Sequence, residues 1–272
     1  MMADAGFVSG LLETAVIAAR AAGELARERY GLPHDVRQKS GPRDLVSEAD
    51  RAAQAIALQI IRERHPGHPI LAEESPQGAP NRDGVWPIPS GVLWTVDPID
   101  GTTNYVTGIP VFCSAVGAAI DGEPVAGAIY DPMREELIAG GRGLGVTLNG
   151  APVPALQPVA LRRSTVSLDW SRGNLTRQRV VRLVDEVSRA CRTLRALGSA
   201  VLAMGYVALG RTQVYLNFGL KPWDTGAAAA IIREGGGELW RLHGTPWAFG
   251  EPGVLAGHPS VLAEVVEIAE RT

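Results

Sequence analysis

Hydrophobic residues near the start of the chain recur every three or four positions between Val8 and Leu25, and the pattern stops before Gly31. This spacing predicts a long amphipathic helix. A second helical pattern begins after Ser47, whose hydroxyl suits a helix N-cap, and ends before Pro66. The chain is therefore expected to open with two helices.

The central part of the chain changes to short apolar runs separated by turns. Residues 75–91 contain seven prolines and glycines, which predicts a long loop. Asp121-Gly122 and Asn149-Gly150 have the composition of hairpin turns. Strands are predicted at 70–73, 92–96, 114–120, 124–130 and 136–139. This pattern favours an antiparallel meander.

Beyond the proline-rich stretch at 152–158, helical and strand-like patterns alternate. Strands are predicted at 164–168 and 213–216, and helices at 175–190, 199–209 and 225–234. We therefore expect an α+β domain over residues 1–155 and an α/β domain over residues 156–272. The first is expected to carry most of the candidate site residues described below, and the second to complete the site.

The composition is that of a soluble globular protein, with 46% hydrophobic and 20% charged residues among 272. No stretch reaches the roughly 18 apolar residues of a membrane helix. Asp4 stands where a secretory signal would be basic, so we expect a cytoplasmic protein without a membrane span. Cys113 and Cys191 are too few for a disulfide framework and are expected to be buried thiols.

The charge is unevenly distributed. The net charge of −3 argues against a general nucleic-acid binder. Residues 160–200, however, hold nine arginines and three acidic residues, so this basic segment carries +6 and the rest of the chain −9. The simpler interpretation is a solvated helix face or subunit contact, and the alternative is an anion-attracting surface.

Two carboxylates in WTVDPIDGTTNY, residues 94–105, are the main chemical signal. The predicted strand delivers Asp97, and Asp100 follows three residues later. Pro98 fixes the backbone between them, so both carboxylates and the Ile99 carbonyl could converge on one hard cation. Taken alone, the same motif is also typical of a polar turn.

Backbone N–H groups at Gly101 and Thr102 follow these acids, and a helix starting there would favour a phosphate. Other acidic positions strengthen the metal hypothesis. Asp224 precedes a predicted helix as either an N-cap or a ligand. The remaining acids are Glu73 and Glu74 after a strand, and Asp44 and Asp50 near Lys39, one of only two lysines in the chain.

Four ordered segments resemble the motifs of the inositol monophosphatase family, and together they span nearly the whole chain. They are KSGPRDLVSEAD (39–50), AEES (72–75), WTVDPIDGTTNY (94–105) and PWDTGAAAAIIREGGG (222–237). The resemblance implies alternating helix and sheet layers, with an N-terminal α+β half and a C-terminal α/β half, assembled as a homodimer.

The resemblance also implies a catalytic site that binds two or three Mg²⁺ ions, with Asp97 bridging two of them. The implied metal ligands are Glu73, Asp97, the Ile99 carbonyl, Asp100 and Asp224. Lys39, Asp44 and Glu74 would lie outside the ligands, and Asp50 with Thr102 would help to activate water. The phosphate and its alcohol would contact Asp100, Gly101, Thr102, Gly198, Ser199, Ala200, Asn217 and Asp224.

The implied reaction is hydrolysis of a small phosphomonoester by in-line attack of water. Inositol 1-phosphate is the first candidate, followed by histidinol phosphate, fructose 1,6-bisphosphate and adenosine 3′,5′-bisphosphate. Asn217 departs from the family pattern, because many inositol phosphatases carry a glutamate there. A neutral amide cannot neutralise a cationic substrate, although it can still bind a polyol.

Two alternatives remain at this level. A haloacid-dehalogenase-type phosphatase would use an aspartate nucleophile, but its two acids stand two residues apart, whereas Asp97 and Asp100 stand three apart. A regulatory protein with the same fold could use the basic segment to bind RNA or a transcription complex. Five intact ligand positions make binding an added role at most, and nucleic acid is not the expected main partner.

Overall fold

Two large β-sheets and the helices around them form alternating layers in this computed structural model, which describes residues 4–32, 36–41, 44–170 and 174–271. The helices are α1 (Ala5–Arg29), α2 (Glu48–Arg64), α3 (Thr102–Thr107), α4 (Asn174–Ala190), α5 (Ala200–Ala208), α6 (Pro222–Glu234) and α7 (Pro259–Ala269). Leu161–Arg163 forms a 3₁₀ turn. The predicted layered fold class is confirmed.

The strands form three sheets. A hairpin joins β1 (Arg37–Gly41) and β2 (Asp44–Val46). The seven-stranded sheet contains, in spatial order, β3 (Ile70–Ala72), β4 (Val92–Asp100), β5 (Cys113–Ile120), β6 (Glu123–Asp131), β7 (Glu136–Gly141), β8 (Gly145–Leu148) and β9 (Ala151–Pro152). Among the described strands of this sheet, β3 and β4 are parallel and all other neighbours are antiparallel, so the predicted meander is confirmed.

The second large sheet has five strands in the order β11, β10, β12, β14 and β13. Their bounds are β10 (Thr165–Leu168), β11 (Thr193–Arg195), β12 (Val214–Asn217), β13 (Glu238–Trp240) and β14 (Val254–Gly257). β10 runs parallel to both of its neighbours, whereas β14 is antiparallel to β12 and β13. The sequence patterns missed β11, β13 and β14, which have three or four residues each. They also missed α7, although its apolar residues, such as Val261, Leu262 and Val265, recur at helical spacing.

Three apolar clusters separate the layers. Helices α1 and α2 cover one face of the seven-stranded sheet. Helices α5 and α6 fill the space between the two large sheets. Helices α4 and α7 cover the outer face of the five-stranded sheet. The predicted boundary at residue 155 falls between β9 and β10 and stays a prediction.

Glycines bring α6 unusually close to the seven-stranded sheet. Gly117 of β5 and Gly127 of β6 are cross-strand partners. A Cβ atom on Gly127 would lie 2.2 Å from the Ala227 carbonyl oxygen, and one on Gly117 would lie 2.5 Å from the Ala227 nitrogen. The alanine run of α6 therefore does more than fill a helix, because its small side chains allow this close approach.

Helix α1 is long and apolar enough, by length and composition, to cross a membrane, with a mean hydropathy of 1.3 over 18 residues. A core helix of a soluble protein meets the same criterion, because a hydropathy average tolerates a few charged side chains in an alanine-rich helix. Here the apolar residues of α1, such as Leu11 and Ala18, are buried against α2 and the sheet. The expected absence of a membrane span stays a prediction.

The two cysteines also differ from each other. Both are free thiols, but Cys113 is buried and Cys191 is only partly buried. The expectation of two buried thiols is therefore correct for Cys113 alone. Cys191 follows α4 directly, where the chain leaves the apolar cluster.

Candidate active site

The parallel pairing of β3 and β4 places two acids side by side. Ala72 is opposite Val96 in the register, so Glu73 and Asp97 follow at neighbouring positions. The Glu73 N–H donates to the Val96 carbonyl at 3.1 Å. Asp97 is 1% exposed, and its Oδ1 atom has no hydrogen-bond partner. Burial, followed by the charge of Glu73, raises the pKa of Asp97 well above its usual value.

An irregularity in β4 lets Asp100 join Asp97. The sequence pattern ended this strand before Asp97, but β4 continues to Asp100. Asp97 pairs with Ala115 and Asp100 pairs with Cys113, so β4 has one extra residue between the pairs. In a regular strand, side chains three residues apart point to opposite faces. The extra residue, as in a β-bulge, allows both carboxylates to turn toward the same side.

The start of α5 holds Asp100 in place. The Ser199 hydroxyl donates to Asp100 Oδ2, and the Val201 N–H donates to the same atom at 2.8 Å. Burial nevertheless raises the pKa of Asp100 to about 7. The two halves of the chain therefore meet at this carboxylate.

Helix α6 brings the fourth acid from the C-terminal half. Asp224 is the third residue of α6 rather than its N-cap, which is Lys221. Asp224 Oδ2 accepts a hydrogen bond from the Lys221 N–H at 2.7 Å. Burial raises the pKa of Asp224 to about 7, and the charges of Glu73 and Asp100 add to this effect. Its carboxylate therefore belongs to the same electrostatic centre.

The four acids Glu73, Asp97, Asp100 and Asp224, here called the carboxylate centre, suit an oxygen-seeking cation. Within the described ranges, no three acidic, histidine or cysteine side chains are already arranged as the ligands of one ion. The centre nevertheless concentrates negative charge in a buried space, and one Asp97 oxygen is left without a partner. Carboxylate and carbonyl oxygens are the ligands that Mg²⁺ prefers. The donor set therefore fits such a cation.

A fifth acid, Asp50, lies at the start of α2. Ser47 caps this helix as predicted, and its N–H and hydroxyl donate to Asp50 Oδ2 at 2.8 and 2.5 Å. The Thr102 Oγ1 atom lies 3.1 Å from Asp50 Oδ1 and 3.1 Å from the Ile99 carbonyl oxygen. The structure thus brings Asp50, Thr102 and Ile99 into one hydrogen-bonded group.

Two glycine turns meet beside this group. Gly101 has φ +94° and Gly198 has φ +75°. A Cβ atom on Gly101 would lie 3.1 Å from the Gly198 carbonyl oxygen, so a side chain there would strain the contact. Asn104, which sequence analysis missed, fixes the turns because its amide donates to the Val111 and Leu197 carbonyls at 2.8 Å each.

The remaining predicted site residues have different placements. Ala200 is the first residue of α5, next to Ser199. Glu74 is half-buried, and its N–H donates to Gln54 Oε1 at 2.8 Å. The side chains of Lys39 and Asp44 lie outside the described residues. The roles predicted for these residues stay predictions.

Asn217 is buried at the end of β12. Its amide nitrogen donates to the Tyr215 hydroxyl at 3.0 Å, and its Oδ1 atom accepts from the Gly219 N–H at 2.9 Å. These bonds turn the amide toward protein groups. A contact of Asn217 with the substrate stays a prediction.

Asp169, also missed by sequence analysis, follows β10 directly. Asp169 Oδ1 accepts from the Gly198 N–H at 2.8 Å, and Oδ2 accepts from the Tyr215 hydroxyl at 3.2 Å. Burial raises the pKa of Asp169 to about 6. The sequence does contain a signal for Asp169, because Asp169, like Asp97, is an acid that directly follows a predicted strand.

The comparison with protein families identifies this arrangement. The model of the inositol monophosphatase family matches residues 8–271. This chain belongs to the inositol monophosphatase family. A similar protein is Inositol monophosphatase 1 of Solanum lycopersicum, 33% identical over 98% of this chain and 97% of that protein.

Some relatives are named as Nus factors rather than as inositol monophosphatases. The chain is 32% identical to the Nus factor SuhB of Escherichia coli, over 93% of this chain and 92% of that one. Among solved structures, the inositol monophosphatase of Anabaena superposes with a TM-score of 0.81 at 30% identity, covering 98% of this chain and 97% of that one. The family resemblance seen in the four sequence motifs is confirmed.

Proposed function

We propose that the protein is a Mg²⁺-dependent phosphomonoesterase that hydrolyses a small polyol or sugar phosphate, with inositol 1-phosphate as the first candidate. The observation that carries this proposal is the carboxylate centre, in which acids from three separate elements share one buried space and leave an Asp97 oxygen unpaired. Membership of the inositol monophosphatase family supports it.

The ions would be held by oxygen atoms of both halves. Glu73, Asp97, Asp100, Asp224 and the Ile99 carbonyl would hold two or three Mg²⁺, with Asp97 between two of them. When bound, Mg²⁺ neutralises phosphate charge and lowers the pKa of a coordinated water. The Ile99 carbonyl accepts from Thr102 in this structure, and its second lone pair leaves it able to serve as a ligand.

Asp50 and Thr102 would handle the proton of the attacking water. The Asp50 carboxylate is buried and fixed by Ser47, so it can hold the Thr102 hydroxyl in one orientation. A hydroxyl that donates to a carboxylate can accept a hydrogen bond from water through its oxygen. As the water attacks, its proton would move to the Thr102 oxygen while Thr102 gives its own proton to the Asp50 carboxylate. Lys39, Asp44 and Glu74 would stay outside the ligands and tune the charge of the centre.

The phosphate and the alcohol would contact two neighbouring turns beside Asp100. Backbone N–H groups of Gly101 and Thr102 would donate to phosphate oxygens. The turn at Gly198, Ser199 and Ala200 would border the alcohol, with Asn217 behind it. We further propose that the protein is cytoplasmic and forms a homodimer.

The test is phosphate release with Mg²⁺ and, as a control, with excess chelator. The substrates are inositol 1-phosphate, histidinol phosphate, fructose 1,6-bisphosphate and adenosine 3′,5′-bisphosphate. We expect Mg²⁺-dependent release from at least one and inhibition by lithium ions, which would compete for a Mg²⁺ position. Trapping of phosphorylated Asp97 would instead support an aspartate nucleophile and overturn the proposed mechanism.

A second candidate function is binding of RNA or a transcription complex, as an activity added to hydrolysis. The observation in its favour is that several arginines of the basic segment are exposed: Arg162, Arg163, Arg182, Arg192 and Arg195. Some relatives are named Nus factors. Purified protein should then bind RNA with an affinity that falls steeply as salt rises. Absent or salt-insensitive binding would remove this candidate.

A further inference from the structure

Asp169, Tyr215 and Asn217 form a hydrogen-bonded group, here called the wall. Asp169 lies beside the turn at Gly198, which is proposed to border the alcohol. It is half-buried, and its carboxylate accepts the N–H of Gly198. Ser199, the next residue, donates to Asp100. Asp169 is therefore connected through one turn to the carboxylate centre, and its charge contributes to the raised pKa of Asp100.

The neighbouring strand presents a neutral group instead of an acid. Asn217 donates to the Tyr215 hydroxyl, which in turn donates to Asp169. Tyr215 and Asn217 are both buried, so this chain of hydrogen bonds is fixed by the packing between β12 and α5. The negative charge on this wall comes from the end of β10 rather than from β12.

The Asp169 carboxylate retains capacity for a ligand. A carboxylate has about four acceptor positions. The bonds from Gly198 and Tyr215 use two of them, one on each oxygen. An ionised carboxylate accepts hydrogen bonds and donates none, so it attracts hydroxyl and ammonium groups and repels a phosphate.

We propose that Asp169 determines which alcohols the site accepts: it favours phosphomonoesters whose alcohol portion donates hydrogen bonds or carries positive charge, and it disfavours a second phosphate. This inference rests on the proposed phosphatase function and narrows its substrate class. Asp169 is a specificity-determining residue in this proposal, because it is bonded to the turn proposed to border the alcohol and is not one of the four acids of the carboxylate centre.

The test compares the wild type with Asp169→Asn at saturating Mg²⁺. The substrates are histidinol phosphate, inositol 1-phosphate and fructose 1,6-bisphosphate, whose alcohol portions are cationic, neutral and anionic. We expect kcat/KM to fall about 10-fold for the cationic substrate, to fall less for the neutral one, and to rise for the bisphosphate. The change should appear mainly in KM, since all four carboxylates of the centre are kept.

Tyr215→Phe is the matched control. It removes the hydroxyl that donates to Asp169 but keeps the Asp169 charge and its bond to Gly198. The order of the three substrates should therefore stay as in the wild type. Thermal melting of both variants shows whether either change affects folding.

Two results separate this inference from the proposed function. If phosphate is released but Asp169→Asn leaves the order and ratios of the three substrates unchanged, the role of Asp169 is wrong and the phosphatase function stands. If no substrate is hydrolysed, the phosphatase function is wrong. Calorimetric binding of histidinol phosphate and fructose 1,6-bisphosphate to both proteins then decides the Asp169 inference, because selection by charge requires opposite shifts in affinity.

Discussion

The carboxylate centre and the wall at the ends of β10 and β12 are linked through the turn between Gly198 and Val201, and they are built differently. In the centre, acids at the ends of β3 and β4 and at the start of α6 crowd together, and the charges of Glu73 and Asp100 add to the raised pKa of Asp97 and Asp224. On the wall, Asp169, Tyr215 and Asn217 satisfy one another through hydrogen bonds. The centre therefore holds acidic groups whose charge a bound cation would neutralise, whereas the polar groups of the wall are hydrogen-bonded within the protein.

Replacing Asp97 should have the largest effect on activity, because Asp97 belongs to the carboxylate centre. Asp97→Asn removes the charge proposed to lie between two ions, so kcat should fall on the order of 10³-fold. The same change relieves repulsion among buried acids, so the melting temperature without Mg²⁺ should not fall. Steady-state kinetics and thermal melting check both parts. Wild-type activity would contradict the bridging role.

Removing the Thr102 hydroxyl should have the next largest effect. Thr102→Val keeps the shape of the side chain but cannot pass a proton toward Asp50, so kcat should fall about 100-fold. Thr102→Ser restores the hydroxyl and should recover most of the activity. If the valine and serine variants are equally active, the hydroxyl has no part in the reaction.

The contact between α6 and the sheet can be broken from the sheet side. Gly127→Ala places a methyl group against the Ala227 backbone and should lower the free energy of unfolding by about 1–3 kcal/mol. Activity should also fall, since Asp224 moves with α6. Gly10→Ala in α1, where a Cβ atom meets nothing within 4 Å, is the matched control and should stabilise by about 0.5–1 kcal/mol. Denaturant unfolding measures both changes.

The effect of Mg²⁺ on the pH dependence of stability should distinguish the centre from the wall, because Asp169 on the wall also has a raised pKa, of about 6, but is not a proposed Mg²⁺ ligand. Folding raises the pKa of Asp100 and Asp224 from 3.8 to about 7, so the folded protein binds more protons than the unfolded chain between these values. Without divalent cations, these two groups should make stability fall as pH rises from about 4 to 7. Melting curves should show a smaller fall with Mg²⁺ or in Asp224→Asn. A slope that neither change alters would contradict the shared centre.

Replacing Asn217 should have the smallest effect on activity, because the Asn217 amide is linked to Asp169 through the Tyr215 hydroxyl. Asn217→Ala removes the donor to Tyr215, and a lost hydrogen bond of this kind is worth about 1 kcal/mol. We expect KM to rise roughly fivefold with little change in kcat. A large loss of kcat would place Asn217 closer to the chemistry than its buried bonds indicate.

Part of the fold and site could be predicted because the signals are local. Ser47 caps α2 as expected, since a cap depends on residues within one turn. The meander followed from alternating apolar runs and tight turns. The end of β4 was predicted wrongly, because Pro98 argues against a continuing strand, while the bulge opposite residues 113–115 accommodates it.

The sequence by itself determined the family, the layered fold class and the order of the acidic motifs, because these depend on short segments whose residue types carry the chemistry. Only the tertiary structure decided which acids share one buried space and where the wall takes its charge. Gly117 and Gly127 let α6 deliver Asp224, and a turn between β11 and α5 connects Asp169 to Asp100. Such contacts join residues far apart in the chain, so no local pattern encodes them.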